Sequence, residues 1–267
     1  MKNLAARATV TIVALLAVWS IAAPARGKIV SKTITLNAGQ IVSHSFLVYD
    51  DSLKSRRPGV LVVPEFWGLN DYAKSRAKML AQLGYVALAV DMYGDGKVTT
   101  DPKQAGAWAT ALETGDRAEL RRRINAALDE LKRDPRVDSA KTAAIGYCFG
   151  GTTVLELARS GADLQSVVSF HGHPGTGAVA QPGAIRARIL LCAGADDPYV
   201  PPAQLEAFEQ EMRTAGANWE IDIYSGAKHS FTNPGADQYH VPALAYNRDA
   251  DQRSWAAMRE LFDETLQ

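Results

Sequence analysis

Along most of its length the chain alternates between two kinds of polarity pattern. Short apolar runs recur: PGVLVVP (58–64), YVALAVD (85–91), TAAIGY (142–147), SVVSF (166–170), ARILLCAG (187–194) and WEIDIYSG (219–226). Between them lie stretches whose apolar residues return every three or four positions, as on one face of a helix. NDYAKSRAKMLAQLG (70–84) is such a stretch, with Asn70 or Asp71 as its cap and Gly84 as its stop. RAELRRRINAALDELKR (117–133) carries Leu120, Ile124, Leu128 and Leu131 as its stripe and ends at Asp134-Pro135. On that helix Arg121, Arg122 and Arg123 are expected to project mainly into solvent. GTTVLELA follows TAAIGYCFG as a helix, and AYNRDADQRSWAAMRELFDETL closes the chain as another. Near the start, TITL and IVSHSFLVY flank Asn37-Ala38-Gly39-Gln40, which predicts an antiparallel hairpin.

Strand and helix in alternation predict an α/β fold, a mostly parallel sheet with helices on both faces and the antiparallel hairpin at its N-terminal side. Near-continuous apolar strands such as LVV and ILLC fit burial on both faces. In a sheet of this kind reactive residues belong on loops at the carboxyl ends of the strands. One domain over 26–267 is expected, since no repeat or Pro/Gly/Ser linker divides the chain.

The first residues follow a different rule. Lys2 and Arg7 precede the apolar run VTIVALLAVWSIAA, and Ala-Pro-Ala follows at 23–25. A basic region, an apolar core and an A-x-A site make residues 1–25 a predicted secretory signal peptide, too short in its apolar part for the ~20 residues of a membrane span. The expectation is an exported protein, periplasmic or secreted, with no stable membrane association after cleavage. A formal net charge of zero and 22% charged residues give no electrostatic reason to expect nucleic acid as a partner. The two cysteines, Cys148 and Cys192, fall on elements separated by the strand SVVSF, so two free thiols are expected rather than a disulfide.

Cys148 stands where a strand meets a helix, flanked by Gly146, Gly150 and Gly151. This is the layout of a nucleophile elbow with cysteine at its centre. A thiol there meets the positive end of a helix, which favours thiolate; the competing reading is a small buried hydrophobe. A cysteine nucleophile needs a base, and the base an orienting acid, in the chain order nucleophile, acid, histidine. Asp196 and Asp197 follow the strand ARILLCAG, and His229 follows the next strand. The loop PEFWGLN after the first buried strand is where a second oxyanion donor belongs: the backbone N–H of Phe66, together with that of Phe149. His171 and His173 sit at another strand end and are expected to line the cleft; two histidines without a third ligand do not make a metal site.

GYCFGG, VPEFWGLND, the aspartate in GADDPYVP and GAKHSF together resemble the dienelactone hydrolase family of α/β-hydrolases, from about Pro58 to the last helix. The resemblance implies Cys148 as nucleophile, Asp197 rather than Asp196 as the acid, and His229 as the base. It implies that Glu65 partners the resting thiol, and that no cofactor is needed. The substrate it implies is a small ester or lactone, and the protein a monomer or small homo-oligomer. Family arginines that hold a substrate carboxylate are replaced here by Lys97, or nothing, and by Asn233. Trp67, Lys97, His171 and Ser230 are the expected substrate-binding side chains. Two rivals share these motifs: a non-catalytic ligand-binding protein on the same fold, and a thiol redox protein.

Overall fold

The computed structural model describes residues 27–38 and 41–267; the predicted signal peptide lies outside them. Eight strands form a single sheet: β1 (Ile29–Ala38), β2 (Ile41–Asp50), β3 (Arg57–Val63), β4 (Val86–Ala89), β5 (Val137–Tyr147), β6 (Ser166–Phe170), β7 (Arg188–Gly194) and β8 (Trp219–Tyr224). Their spatial order is β1-β2-β4-β3-β5-β6-β7-β8. β1 and β2 form the antiparallel hairpin, β2 joins β4 antiparallel, and every pairing from β4 to β8 is parallel. The alternation of patterns predicts this mostly parallel α/β sheet, and the arrangement is the α/β-hydrolase fold that the resemblance implies.

Six helices cover the sheet: α1 (Asp71–Gln82), α2 (Pro102–Glu113), α3 (Ala118–Arg133), α4 (Phe149–Arg159), α5 (Pro202–Ala215) and α6 (Arg248–Thr265). Two large apolar clusters cover the sheet, one on each face, and a smaller third gathers around Trp67 and Tyr239. Leu61, Val63, Leu191, Leu128 and Leu155 belong to the first, whereas Val60, Val62, Leu190, Leu80 and Phe262 belong to the second. Neighbouring residues of β3 and β7 thus serve opposite faces, as the two-residue period of a strand demands. Among the described residues no helix is long and apolar enough to cross a membrane.

Two expectations need correction. Helix α5 passes unnoticed in the polarity pattern because it buries only Phe208, Met212 and Ala215, too sparse an apolar stripe to stand out. The arginine run on α3 does not face solvent as a unit. Arg121 reaches Glu156, wholly buried on α4, at 2.6 Å. Arg123 donates to the Met92 carbonyl oxygen at 2.9 Å. Arg117 and Arg159 also pair with Glu156, at 3.1 and 3.2 Å. A buried carboxylate demands such partners, and nothing in the periodicity of α3 reveals one on a neighbouring helix.

The elbow is set by close backbone approach. A Cβ on Gly146 would collide with the Gly150 carbonyl, and one on Gly150 with the carbonyl oxygens of Val63 and Pro64. A Cβ on Gly151 would fall 2.7 Å from the Gly172 Cα. Glycine at these places lets α4 begin directly over β3 and β6. Gly150→Ala is therefore expected to destabilise the protein by about 3 kcal/mol or to prevent folding. Urea unfolding followed by circular dichroism measures it, and an unchanged midpoint would contradict this account.

Candidate active site

Between β5 and α4, Cys148 has φ 53° and ψ −117°. A non-glycine residue in that region is strained, and the surrounding structure must hold it there. Its backbone N–H donates to the Phe170 carbonyl oxygen at 3.0 Å and to His171 Nδ1 at 3.1 Å. The result presents the thiol, partly exposed, at the mouth of a cavity of about 540 Å³.

His229 lies on the loop after β8, beside the thiol. Its Nδ1 is 2.7 Å from Asp197 Oδ2, and its ring is also hydrogen-bonded to Cys148. Asp197 is buried while Asp196 is exposed, so the choice between the two aspartates falls on Asp197. The other oxygen of Asp197 accepts from the Tyr199 N–H at 2.8 Å, which fixes the carboxylate at the carboxyl end of β7. Burial disfavours a charge on His229. The electrostatic influence of Cys148 and the hydrogen bonds that the ring makes to Asp197 and Cys148 outweigh it and push the imidazole up to about 10. The protonated imidazole is therefore favoured beside the Cys148 sulfur.

The Phe66 and Phe149 N–H groups have no acceptor among the described residues. Phe149 begins α4, where the first amides of a helix lack intrahelical partners. Phe66 is held from its other side, where the Tyr93 hydroxyl donates to its carbonyl oxygen at 3.1 Å. Both phenylalanines line the cavity with Cys148 and His229.

Glu65 is part of this site but not as expected. Its Oε1 accepts from the Ser230 hydroxyl at 2.6 Å and its Oε2 from Asn233 Nδ2 at 2.7 Å. Both oxygens are engaged by the loop that carries His229, and the thiol's partner is His229 itself. Burial raises the Glu65 pKa, and the Ser230 and Asn233 donors only partly oppose it. Ser230, with φ 57°, is held in a left-handed conformation right after His229. Glu65 thus ties the Phe66 loop to the His229 loop.

None of the four expected substrate contacts, Trp67, Lys97, His171 and Ser230, is among the residues that line the cavity. Trp67 is fully buried and stacks on Tyr239 with ring centroids 3.8 Å apart. Lys97 is exposed on a loop, 3.3 Å from Asp95. Ser230 is committed to Glu65. His171 lies beneath the nucleophile, entirely buried. Its Nδ1 accepts from Cys148, so Nε2 carries the proton and donates to Thr232 Oγ1 at 2.7 Å. Burial, and then the nearby His229, push its pKa down and keep the ring neutral, as an acceptor must be.

His173 lines the cavity as expected, and the rest of the wall comes from residues that motif reading misses: Thr152, Tyr199 and one face of α2, Pro102, Gly106, Ala109, Thr110 and Glu113. Tyr199 meets the His229 ring edge-on, with centroids 5.1 Å apart. The signal for α2 was present as small residues at helical spacing, but small residues also mark ordinary packing. Cys192 is fully buried on β7, and burial pushes its thiol far up; both cysteines are free.

The family model for the dienelactone hydrolase family matches residues 45–266. The chain belongs to this family. It is accordingly a carboxylic ester or lactone hydrolase on the α/β-hydrolase fold. A Bradyrhizobium protein named "Probable 2-oxo-3-(5-oxofuran-2-ylidene)propanoate lactonase" is 30% identical over 211 residues, covering 75% of this chain and 84% of that one. Among solved structures, one called m3DLH is 43% identical with a TM-score of 0.85, covering 90% of this chain and all (100%) of that one. The dienelactone hydrolase-like promiscuous phosphotriesterase P91, from metagenomic libraries, is 42% identical with a TM-score of 0.84 over the same shares, 90% and 100%.

Removing the neighbouring thiol should lower the His229 pKa, because the leading cause that raises it disappears. In Cys148→Ala the imidazole titration followed by NMR is expected to move toward lower pH; an unmoved titration would mean that Asp197 alone sets it. Glu65→Gln presents an amide N–H to a donor, and is expected to cost about 1–3 kcal/mol of stability, read from thermal or urea unfolding, together with a fall in turnover.

Proposed function

We propose that this enzyme cleaves its ester or lactone through an acyl-cysteine intermediate, with Cys148 as nucleophile, His229 as general base and acid, and Asp197 orienting the imidazole. The observation that carries the proposal is His229 hydrogen-bonded on one side to Asp197 and on the other to Cys148, at the mouth of a cavity with two unengaged N–H groups.

The Cys148 sulfur attacks the substrate carbonyl carbon, and a C–S bond forms as the C=O electrons move to oxygen. The Phe66 and Phe149 N–H groups receive that oxyanion. On collapse, the carbon–oxygen bond to the alcohol breaks and His229 gives its proton to the departing oxygen. Water then replaces the alcohol. His229 takes a proton from it, the hydroxyl oxygen adds to the thioester carbon, and the thiolate leaves with the acid released. Asp197 keeps Nδ1 protonated throughout, so Nε2 is the nitrogen that exchanges the proton.

A second class of electrophile is favoured by the 42% identity to P91, whose name describes a promiscuous phosphotriesterase. A neutral aryl phosphotriester offers phosphorus to the same thiolate, and it belongs in any substrate panel. The compartment is proposed on the sequence pattern alone: residues 1–25 direct export, and N-terminal sequencing of the protein from the periplasmic or culture fraction tests it.

With a panel of small activated esters and lactones, Cys148→Ala is expected to lose turnover by about 10⁴-fold or more. Rapid-quench mass spectrometry should find an acyl group on Cys148 of the wild type. Asp197→Asn should retain the fold and lose about 10²–10⁴-fold in kcat. Turnover by Cys148→Ala equal to that of the wild type would refute the mechanism.

A further inference from the structure

The chemistry above leaves one carboxyl in the cavity without a task. Glu113, the last residue of α2, lines the same cavity as Cys148 and His229. It is half-buried, and among the described residues it makes no hydrogen bond or ion pair; Arg117 and Glu156 act on it only from a distance. The Arg117 Nη1 is already held by Glu156 Oε1 at 3.1 Å and the Gly175 carbonyl oxygen at 2.7 Å. Glu156 is in turn surrounded by Arg117, Arg121 and Arg159.

The other ionisable groups facing the cavity do not offset this charge. Cys148 and His229 exchange one proton between them, so the couple adds no net charge in either arrangement. Burial pushes the His173 pKa down, so its ring is neutral. Tyr199 is a phenol, as is Tyr93 behind Phe149, whose pKa burial pushes up, with smaller contributions from both Cys148 and Glu113. No lysine or arginine is among the lining residues. With Arg117 opposing it from a distance and Glu156 adding to it, the unpaired Glu113 carboxylate makes this end of the cavity more negative than the rest of its wall, and low-dielectric surroundings concentrate the effect.

We propose that Glu113 is a specificity-determining residue that disfavours anionic substrates and favours neutral or cationic ones at the α2 end of the cavity. As a statement about esters this rests on the hydrolase mechanism proposed above; as a statement about the cavity's potential it does not. Burial raises the Glu113 pKa, with Arg117 opposing. The selectivity is therefore fully present well above that pKa and fades as pH falls through it.

Alkylation of Cys148 by iodoacetamide and by iodoacetate tests the potential without requiring turnover. In both reactions the sulfur forms a bond to the CH₂ carbon and iodide leaves, so thiol reactivity cancels in the ratio of rates and the reagent's charge remains. Cys148 is identified by peptide mass, and buried Cys192 serves as the unreactive reference. Relative to wild type, Glu113→Gln should lower the iodoacetamide-to-iodoacetate ratio by about fivefold, the order expected for removing one charge from the wall of the same cavity at intermediate dielectric, and Glu113→Lys should lower it further. In the wild type, raising salt from about 0.02 to about 0.5 M should move the ratio in the same direction through screening, which keeps the test valid if a variant folds poorly. A ratio that neither variant nor salt alters by more than about twofold overturns the proposal.

Matched aryl esters with anionic, neutral and cationic acyl chains extend the test to substrates. Turnover through Cys148 with charge preference unmoved in Glu113→Gln would sink this inference and leave the mechanism standing. A charge-dependent alkylation ratio without ester turnover would sink the mechanism and support the role of Glu113.

Discussion

The site depends on how closely one helix can begin above the sheet. Gly146, Gly150 and Gly151 remove the side chains that would hold α4 away from β3 and β6, and Cys148 occupies the strained turn that results. The strain has several anchors. Its N–H is shared between Phe170 and His171, and His171 is in turn held by Thr232. The same turn that lifts the sulfur into the cavity leaves the Phe149 amide unpaired at the helix start. Nucleophile and oxyanion donor are thus two results of one backbone geometry, and neither can be repositioned alone.

A second constraint joins the pieces that come from distant parts of the chain. The Phe66 loop follows β3 and the His229 loop follows β8, at well-separated places in the sheet. The buried Glu65 carboxylate spans them through Ser230 and Asn233. An ionised group in such a place costs desolvation energy, and the two short hydrogen bonds offset part of that cost. Behind them, Arg76 bonds the Thr232 carbonyl and Asp251 of α6. The imidazole therefore rests on a chain of polar contacts running from the reactive loops into the helical layer.

How much of this is legible in the sequence differs by kind of feature. β3, β6 and β7 are plain because both of their faces are buried, which leaves unbroken apolar runs. Cys148, Asp197 and His229 stand at strand ends in the order this fold uses, and the structure brings the three together. Glu65 is recognisable as important but its partners are not, because Ser230 and Asn233 reach it only after β8 has returned beside β7. Trp67, Lys97, His171 and Ser230 are near the motifs in sequence yet none is among the residues that line the cavity: adjacency along a loop says little about which side chains reach it. The buried Glu156 with its three arginines is invisible for the same reason, since α3 and α4 each look ordinary alone.

The wall of the cavity opposite the strand ends is a single stripe of α2, in which Pro102, Gly106, Ala109, Thr110 and Glu113 recur at helical intervals. None of these residues holds Cys148, His229 or Asp197 in place. Apart from Ala109, which is buried in the core, selection can therefore rewrite that stripe one side chain at a time without disturbing the machinery across from it. An α/β-hydrolase arranged in this way has a divided inheritance: a reaction centre that tolerates almost no change, facing a surface on which new substrate preferences can be tried.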